Sequence, residues 1–242
     1  MVFSIDEYAP LFNIEGAFEE DIKDAMSHGC YVGNLAYRLS KTLGYDDAFC
    51  NKILKAGMLH DIGKLRLGDG LYNRKEDLLK ADEMKYVRMH PTLGYELLCE
   101  KKIGDNELRQ SVFHHHENYD GTGYPDNISG EDIPLGARIL RVCDVYCALV
   151  SDRHYREAYD KETAMELMIE EVKNFDMRIF LGFMTLMHSD DFFEMDQLAE
   201  NLKNQEWSGP EGEGTDENNV TKKNGGENAD EFVKKGLAAR FA

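Results

Sequence analysis

Basic residues are scarce in this chain: 28 lysines and arginines stand against 46 acidic residues, for a formal net charge of -18 over 242 residues. A surface this acidic repels nucleic-acid backbones and anionic bilayers unless a local patch reverses the sign. Neither a nucleic-acid polymer nor a membrane is therefore an expected partner, and a phosphate-bearing ligand must be drawn in by a metal or a small basic cluster. No Cys-x-x-Cys pair occurs, and the five cysteines, Cys30, Cys50, Cys99, Cys143 and Cys147, are odd in number and mostly set in apolar, helix-like stretches. This usage argues against a disulfide framework and for reduced, buried thiols in a reducing compartment. No basic residue precedes Lys23, so a secretory leader is not expected. No apolar run exceeds Ile179 to Met187, far too short to span a bilayer. The expectation is a soluble, cytoplasmic protein. Strand-like alternation is nowhere sustained, and no repeat of solenoid length is present.

A helical period fills the space these absences leave, and a hydrophobic fraction of 42% is ample for a packed core. From Asp21 to Gly44, apolar or small residues recur at Ile22, Ala25, Val32, Leu35, Leu39 and Leu43, with Gly44 as the expected C-cap. A second helix is expected from Asp47 toward His60, with Phe49, Ile53, Ala56 and Gly57 on one face. Others are expected near Leu78–Glu100, Asn106–Glu117, Pro134–Val150, Lys161–Lys173 and Arg178–Met187, with Pro134 in the first-turn position that suits proline. The turn-rich segment Asp120-Gly-Thr-Gly-Tyr-Pro125 interrupts them. Past Lys203 the composition shifts to Gly, Asn, Glu and Lys. The expected organisation is an all-α bundle over residues 1–203 and an acidic flexible tail over 204–242. Within that tail, Asn228 and Glu231 resemble a capping box ahead of Phe232, Val233, Leu237 and Phe241.

Chemistry enters with His60 and Asp61 at the end of an apolar helix, where an unpaired charge is costly and coordination would satisfy both groups. A lone His-Asp dipeptide is more often a hydrogen-bonded core pair. Here, however, His28 lies in line with Val32, Leu35 and Leu39, His90 stands just before Pro91, and His114, His115 and His116 end a helical segment. Asp144 shares a stripe with Ala137, Leu140 and Ala148. Several inward His and Asp residues from separate helices are hard to explain as core filling. Imidazole and carboxylate donors without thiolate suit Fe, Mn or Zn, and multiple histidines argue against Mg alone.

The order His28, His60-Asp61, His90, His115-His116, Asp144 resembles the HD superfamily of metal-dependent phosphohydrolases, with a finer likeness to its HD-GYP branch, bacterial phosphodiesterases of cyclic dinucleotides. The segments that carry it are Leu59-His-Asp-Ile-Gly-Lys64, His90-Pro-Thr-Leu-Gly94, His115-His-Glu-Asn-Tyr-Asp-Gly-Thr-Gly-Tyr-Pro125, Ile133-Pro-Leu-Gly-Ala-Arg-Ile139 and Ser151-Asp-Arg-His-Tyr-Arg156. The likeness runs from about Asp21 to Met187. It implies an HD-type helical bundle in which His28, His60, Asp61, His90, His115, His116 and Asp144 hold two or three divalent ions, Fe or Mn. It implies further that Asp61 and Lys64 are catalytic, and that Lys64, Arg153 and Arg156 hold substrate phosphates. A carboxylate at the place of Asp24 serves a third metal in some members. Gly123-Tyr124-Pro125 matches the loop proposed there to dock diguanylate-cyclase (GGDEF) domains.

Two departures from that pattern stand out. Gly68-Asp-Gly-Leu-Tyr-Asn-Arg-Lys-Glu-Asp77 replaces a proline-containing loop, and Cys147 stands where a second Asp follows the first by three residues. One helical turn from Asp144, Cys147 is expected to face the metals or their supports. The implied reaction is two-metal hydrolysis of cyclic di-GMP to the linear dinucleotide and onward to GMP, with in-line attack at phosphorus. Two other readings stay open. One is a weakly active or inactive receptor for a cyclic dinucleotide or a GGDEF partner, and the other is an HD phosphohydrolase acting on another nucleotide.

Overall fold

The computed structural model describes residues 19–67, 85–152 and 156–193, with side chains from residue 26 onward. Seven longer α-helices occur among the described residues, further helical stretches at 85–87 and 190–193 adjoin undescribed ones, and no β-strand occurs among the described residues. The seven are α1 (Glu19–Thr42), α2 (Asp47–Leu59), α3 (His90–Glu100), α4 (Asn106–Phe113), α5 (Leu135–Leu149), α6 (Lys161–Glu170) and α7 (Met177–Met187). A 3-10 turn, Ile62–Arg66, follows α2. None of the described helices is long and apolar enough to cross a membrane. The expected tail, the loop Gly68–Asp77 and Arg153 all lie outside the described residues, as does the side chain of Asp24.

Aspartates start four of the helices. Asp46, Asp105, Asp160 and Asp176 sit at N-cap positions, each accepting from a backbone amide of the first turn. Of the helical pattern expected from Leu78 to Glu100, residues 78–84 lie outside the described residues, 85–87 are helical, and after a turn at 88–89 a helix resumes at His90 with Pro91 in its first turn. Proline cannot donate to the helical ladder, so it is tolerated where the ladder has yet to begin. Pro134 stands one position earlier than expected, as the N-cap of α5. The segment expected to run to Glu117 ends at Phe113. In a continuing helix the Val112 carbonyl would take the His116 amide, but here the His115 Nδ1 binds it at 2.6 Å. Helix α6 also stops short of Lys173, passing into a 3-10 turn over Val172–Asn174.

Helix α5 is the axis of the bundle: every residue from Ile139 to Leu149 is buried. Around it α1, α2, α4, α6 and α7 bury Leu35, Leu39, Ile53, Leu54, Val112, Met168 and Phe183. Two close approaches bring the chemistry-bearing residues together. Where α1 crosses α2, a β-carbon on Gly57 would lie 2.6 Å from the Gly33 Cα, so only glycine permits the contact. That crossing sets the His28 and His60 ring centroids 5.2 Å apart. Further on, a β-carbon on Gly63 would overlap the His90 carbonyl and the Gly94 amide. The turn after Asp61 therefore lies directly on the start of α3.

Candidate metal centre

Three histidines sit at or just past the end of a helix or helical turn, where the last carbonyls have lost their intrahelical partners. His60 Nδ1 binds the Gly57 carbonyl at 2.7 Å, His90 Nδ1 the Val87 carbonyl at 2.7 Å, and His115 Nδ1 the Val112 carbonyl at 2.6 Å. Each acceptor lies three residues back. A carbonyl only accepts, so the proton of each neutral ring sits on Nδ1 and the lone pair on Nε2 is left to face inward. One local device, used at three helix ends, aims three ligand atoms at one point.

The inward atoms fall into two groups. His28, His60 and Asp144 form one, Asp61, His90, His115 and His116 the other, and within each group the candidate ligand atoms all lie within 4.8 Å of one another. In the first group, His28 Nε2 is 3.0 Å and His60 Nε2 3.5 Å from Asp144 Oδ1. In the second, Asp61 Oδ1 stands 3.2 Å from His90 Nε2 and 3.9 Å from His115 Nε2. The other oxygen of the same carboxylate, Oδ2, is 3.4 Å from His60 Nε2 of the first group. Asp61 thus links the two, one oxygen to each side. It also accepts from Lys64 Nζ at 2.5 Å, one turn along.

The electrostatics of this cluster demand positive charge. Burial lowers the pKa of His90, and it holds His115 and His116 well below their usual value, with neighbouring imidazoles adding to the effect. Burial also opposes ionisation of Asp61 and Asp144. Yet His60 and Lys64 beside Asp61, and His28 and His60 beside Asp144, keep both carboxyls well below the usual carboxylate range. At His60, burial is overcome by Asp61 and Asp144, which lift its pKa to about 10. The His60 imidazolium and the Lys64 ammonium are then the positive charges that face these two buried carboxylates. His60 Nε2 and Asp61 Oδ1, both buried, nevertheless make no hydrogen bond. Orphaned atoms of this kind are costly without a ligand. A neutral-imidazole and carboxylate donor set with inward lone pairs fits divalent transition metals.

Other expected site residues lie elsewhere. The Arg156 guanidinium donates to the carbonyls of Ala148, Leu149 and Glu157 and stacks over the Tyr159 ring at 4.1 Å. The structure ties Arg156 to the C-terminal carbonyls of α5. Cys147 is fully buried in the apolar core and belongs to neither donor group, contrary to the expectation that it faces the metals. His114, between Gln110 and Asp126, also lies outside both groups. In the Gly123-Tyr124-Pro125 loop, Gly123 and Tyr124 are buried. The Tyr124 ring stacks on His116 at 4.7 Å, with Arg88 over it at 5.3 Å. Its aromatic face is turned toward the cluster.

Two neighbours of His116 were not anticipated. Arg141, only 4% exposed, approaches His116 Nδ1 with its Nη1 at 3.4 Å and donates from Nε to Asn118 Oδ1 at 3.0 Å. A charged side chain one turn before Asp144, on the same helix as that candidate ligand, was the available signal.

A family model described as the HD domain matches residues 18–179. Among curated relatives, the chain is 38% identical over 149 residues to the cyclic di-GMP phosphodiesterase response regulator RpfG of Xanthomonas campestris pv. campestris, covering 61% of this chain and 39% of that one. It is 30% identical over 184 residues to the 3'3'-cGAMP-specific phosphodiesterase 2 of Vibrio cholerae, covering 75% of this chain and 35% of that one. The chain therefore spans less than two fifths of either relative. Among solved structures it resembles Bd1817, an HDG"Y"P protein of Bdellovibrio bacteriovorus, with a TM-score of 0.57 at 21% identity over 71% of this chain and 55% of that one. This last likeness is one of fold. With a family model spanning most of its helices and the His and Asp donors gathered into two adjoining groups, the chain belongs to the HD domain family and, within it, to the HD-GYP branch.

Proposed function

We propose that this chain is a metal-dependent phosphodiesterase that opens a cyclic dinucleotide, cyclic di-GMP, to its linear form. The observation that carries the proposal is the Asp61 carboxylate, with Oδ2 toward His60 and Oδ1 toward His90 and His115. One cation would rest on His28, His60, Asp144 and Asp61, and a second on Asp61, His90 and His115, with His116 alongside. Divalent ions so held lower the pKa of water and neutralise charge growing on phosphoryl oxygens. Iron or manganese suits the imidazole-rich donors.

The protein's own groups supply the rest. Asp61 fixes the spacing of the two sites. Lys64, 17% exposed by its side chain and held to Asp61, stands at the edge of the cluster. It can donate to a non-bridging phosphate oxygen in a chain otherwise too acidic to attract one. The carbonyls of Gly57, Val87 and Val112 keep the imidazoles oriented, so little reorganisation is needed when charge develops. The substrate class rests on the relatives, whose names specify cyclic di-GMP and 3'3'-cGAMP.

The test is anaerobic purification with metal analysis, followed by hydrolysis of cyclic di-GMP, 3'3'-cGAMP and cyclic di-AMP. Metal-dependent cleavage, fastest on cyclic di-GMP, is expected. A metal-loaded protein that binds these dinucleotides without cleaving any of them would make it a receptor instead.

A further inference from the structure

His116 differs from the three oriented imidazoles. His60, His90 and His115 each present Nδ1 to a carbonyl three residues back. His116 presents Nδ1 to the Arg141 guanidinium, whose Nη1 lies 3.4 Å away. A guanidinium has five donors and no acceptor, and it stays protonated in proteins. Nδ1 of His116 is then the acceptor of this bond, and the proton of the neutral ring is on Nε2. Its tautomer is the reverse of its neighbours'.

Coordination needs a lone pair, and this arrangement leaves none. If Nδ1 is the atom turned toward Asp61, His90 and His115, its lone pair is engaged by Arg141. If Nε2 is that atom, freeing its lone pair moves the ring proton to Nδ1, where it would point at the N–H groups of Arg141. Arg141 is itself fixed: it lies on α5 one turn before Asp144, is 4% exposed, and donates from Nε to Asn118 Oδ1 at 3.0 Å. Its permanent charge also repels a cation brought to this side of the cluster.

We infer that Arg141 takes His116 out of the metal-ligand set, so that the second cation rests on Asp61, His90 and His115 alone and is held more weakly than the first. This deepens the metal-centre reading and depends on it. Arg141 acts through His116 as a positioning residue that grades the two sites, leaving the second cation an additional open position for water or a phosphate oxygen.

The test is manganese binding to the chelator-stripped full chain, by calorimetry and elemental analysis, for the parent, His115→Ala, His116→Ala and Arg141→Met. Far-UV circular dichroism checks that each variant folds. Two unequal sites are expected in the parent. His115→Ala should lose the weaker one, whereas His116→Ala should keep both. Arg141→Met frees His116 to coordinate, and it should tighten the weaker site by about tenfold, the scale of effect for groups that orient ligands. Residue-assigned imidazole nitrogen NMR of the stripped parent is independent of any variant's folding, and should show His116 neutral, with its proton on Nε2 and Nδ1 bare. Loss of the weaker site in His116→Ala to the same degree as in His115→Ala would overturn the inference, as would a stripped parent in which His116 is protonated on Nδ1. A parent that binds no manganese would instead overturn the metal-centre reading beneath it.

Discussion

Asp61 is the donor whose two oxygens face different partners, and no other carboxylate in either group could replace it. An amide in its place keeps the shape but loses the charge and one acceptor oxygen. Changes to residues that merely orient ligands cost about 10–100-fold in metal affinity, so loss of a shared ligand in Asp61→Asn should exceed about 100-fold for at least one cation. Turnover should fall with it while the helical spectrum is kept, and unchanged metal stoichiometry would remove Asp61 from the ligand set. At this scale the sequence was a good guide to identity. His28, His60, Asp61, His90, His115, His116 and Asp144 all stood out by helical phase or motif, and all seven meet in the structure. It did not anticipate the contacts that Arg156 and Cys147 make. Position in a motif does not reveal that a guanidinium has the open carbonyls of α5 within reach, nor that a thiol one turn from Asp144 packs into the core.

At the level of elements, the centre is assembled by helix ends and by glycines. Gly63 has no room for a side chain, because a β-carbon there would overlap the His90 carbonyl and the Gly94 amide. Gly63→Ala would therefore push the start of α3 away from the turn that carries Asp61. Overpacking of a tight contact typically costs about 1–3 kcal/mol. The expected outcome is a lower melting temperature together with weaker metal binding, since His90 and Asp61 would separate. A variant that melts lower but binds metal as the parent does would show that the contact supports the fold alone. Helix identities were legible from periodicity, and the N-cap aspartates agree with the starts of α2, α4, α6 and α7. Helix ends were not. Val112 binds a histidine side chain in place of a backbone amide, and periodicity carries no information about that exchange.

Across the whole molecule, the bundle gathers two buried carboxylates and four buried imidazoles, with His28 at their edge, into one place, leaving His60 Nε2 and Asp61 Oδ1 without hydrogen bonds. A cation that binds only the folded chain stabilises it by about 2.7 kcal/mol at a hundredfold excess over its Kd. For a domain of this size that is a rise of roughly 5–11 °C in melting temperature. Stripping the protein with a chelator should lower the melt by that amount, and adding back manganese should restore it. Identical melts with and without chelator would mean that the polar cluster is satisfied by its own residues.

The sequence by itself determined the helical class, the order and chemistry of the donors and the family pattern. Each of these follows from residue type and spacing along one chain, where the helical period reports which side of an element a residue occupies. What lies across from that side was decided only by the tertiary structure. Packing of α1 on α2 joined His28 and His60, Asp61 came to link two donor groups, and Arg141 met His116 from 25 positions away. Those pairings fix which lone pairs are free for a cation. They arise from contacts between separate helices, which no local pattern of residues encodes.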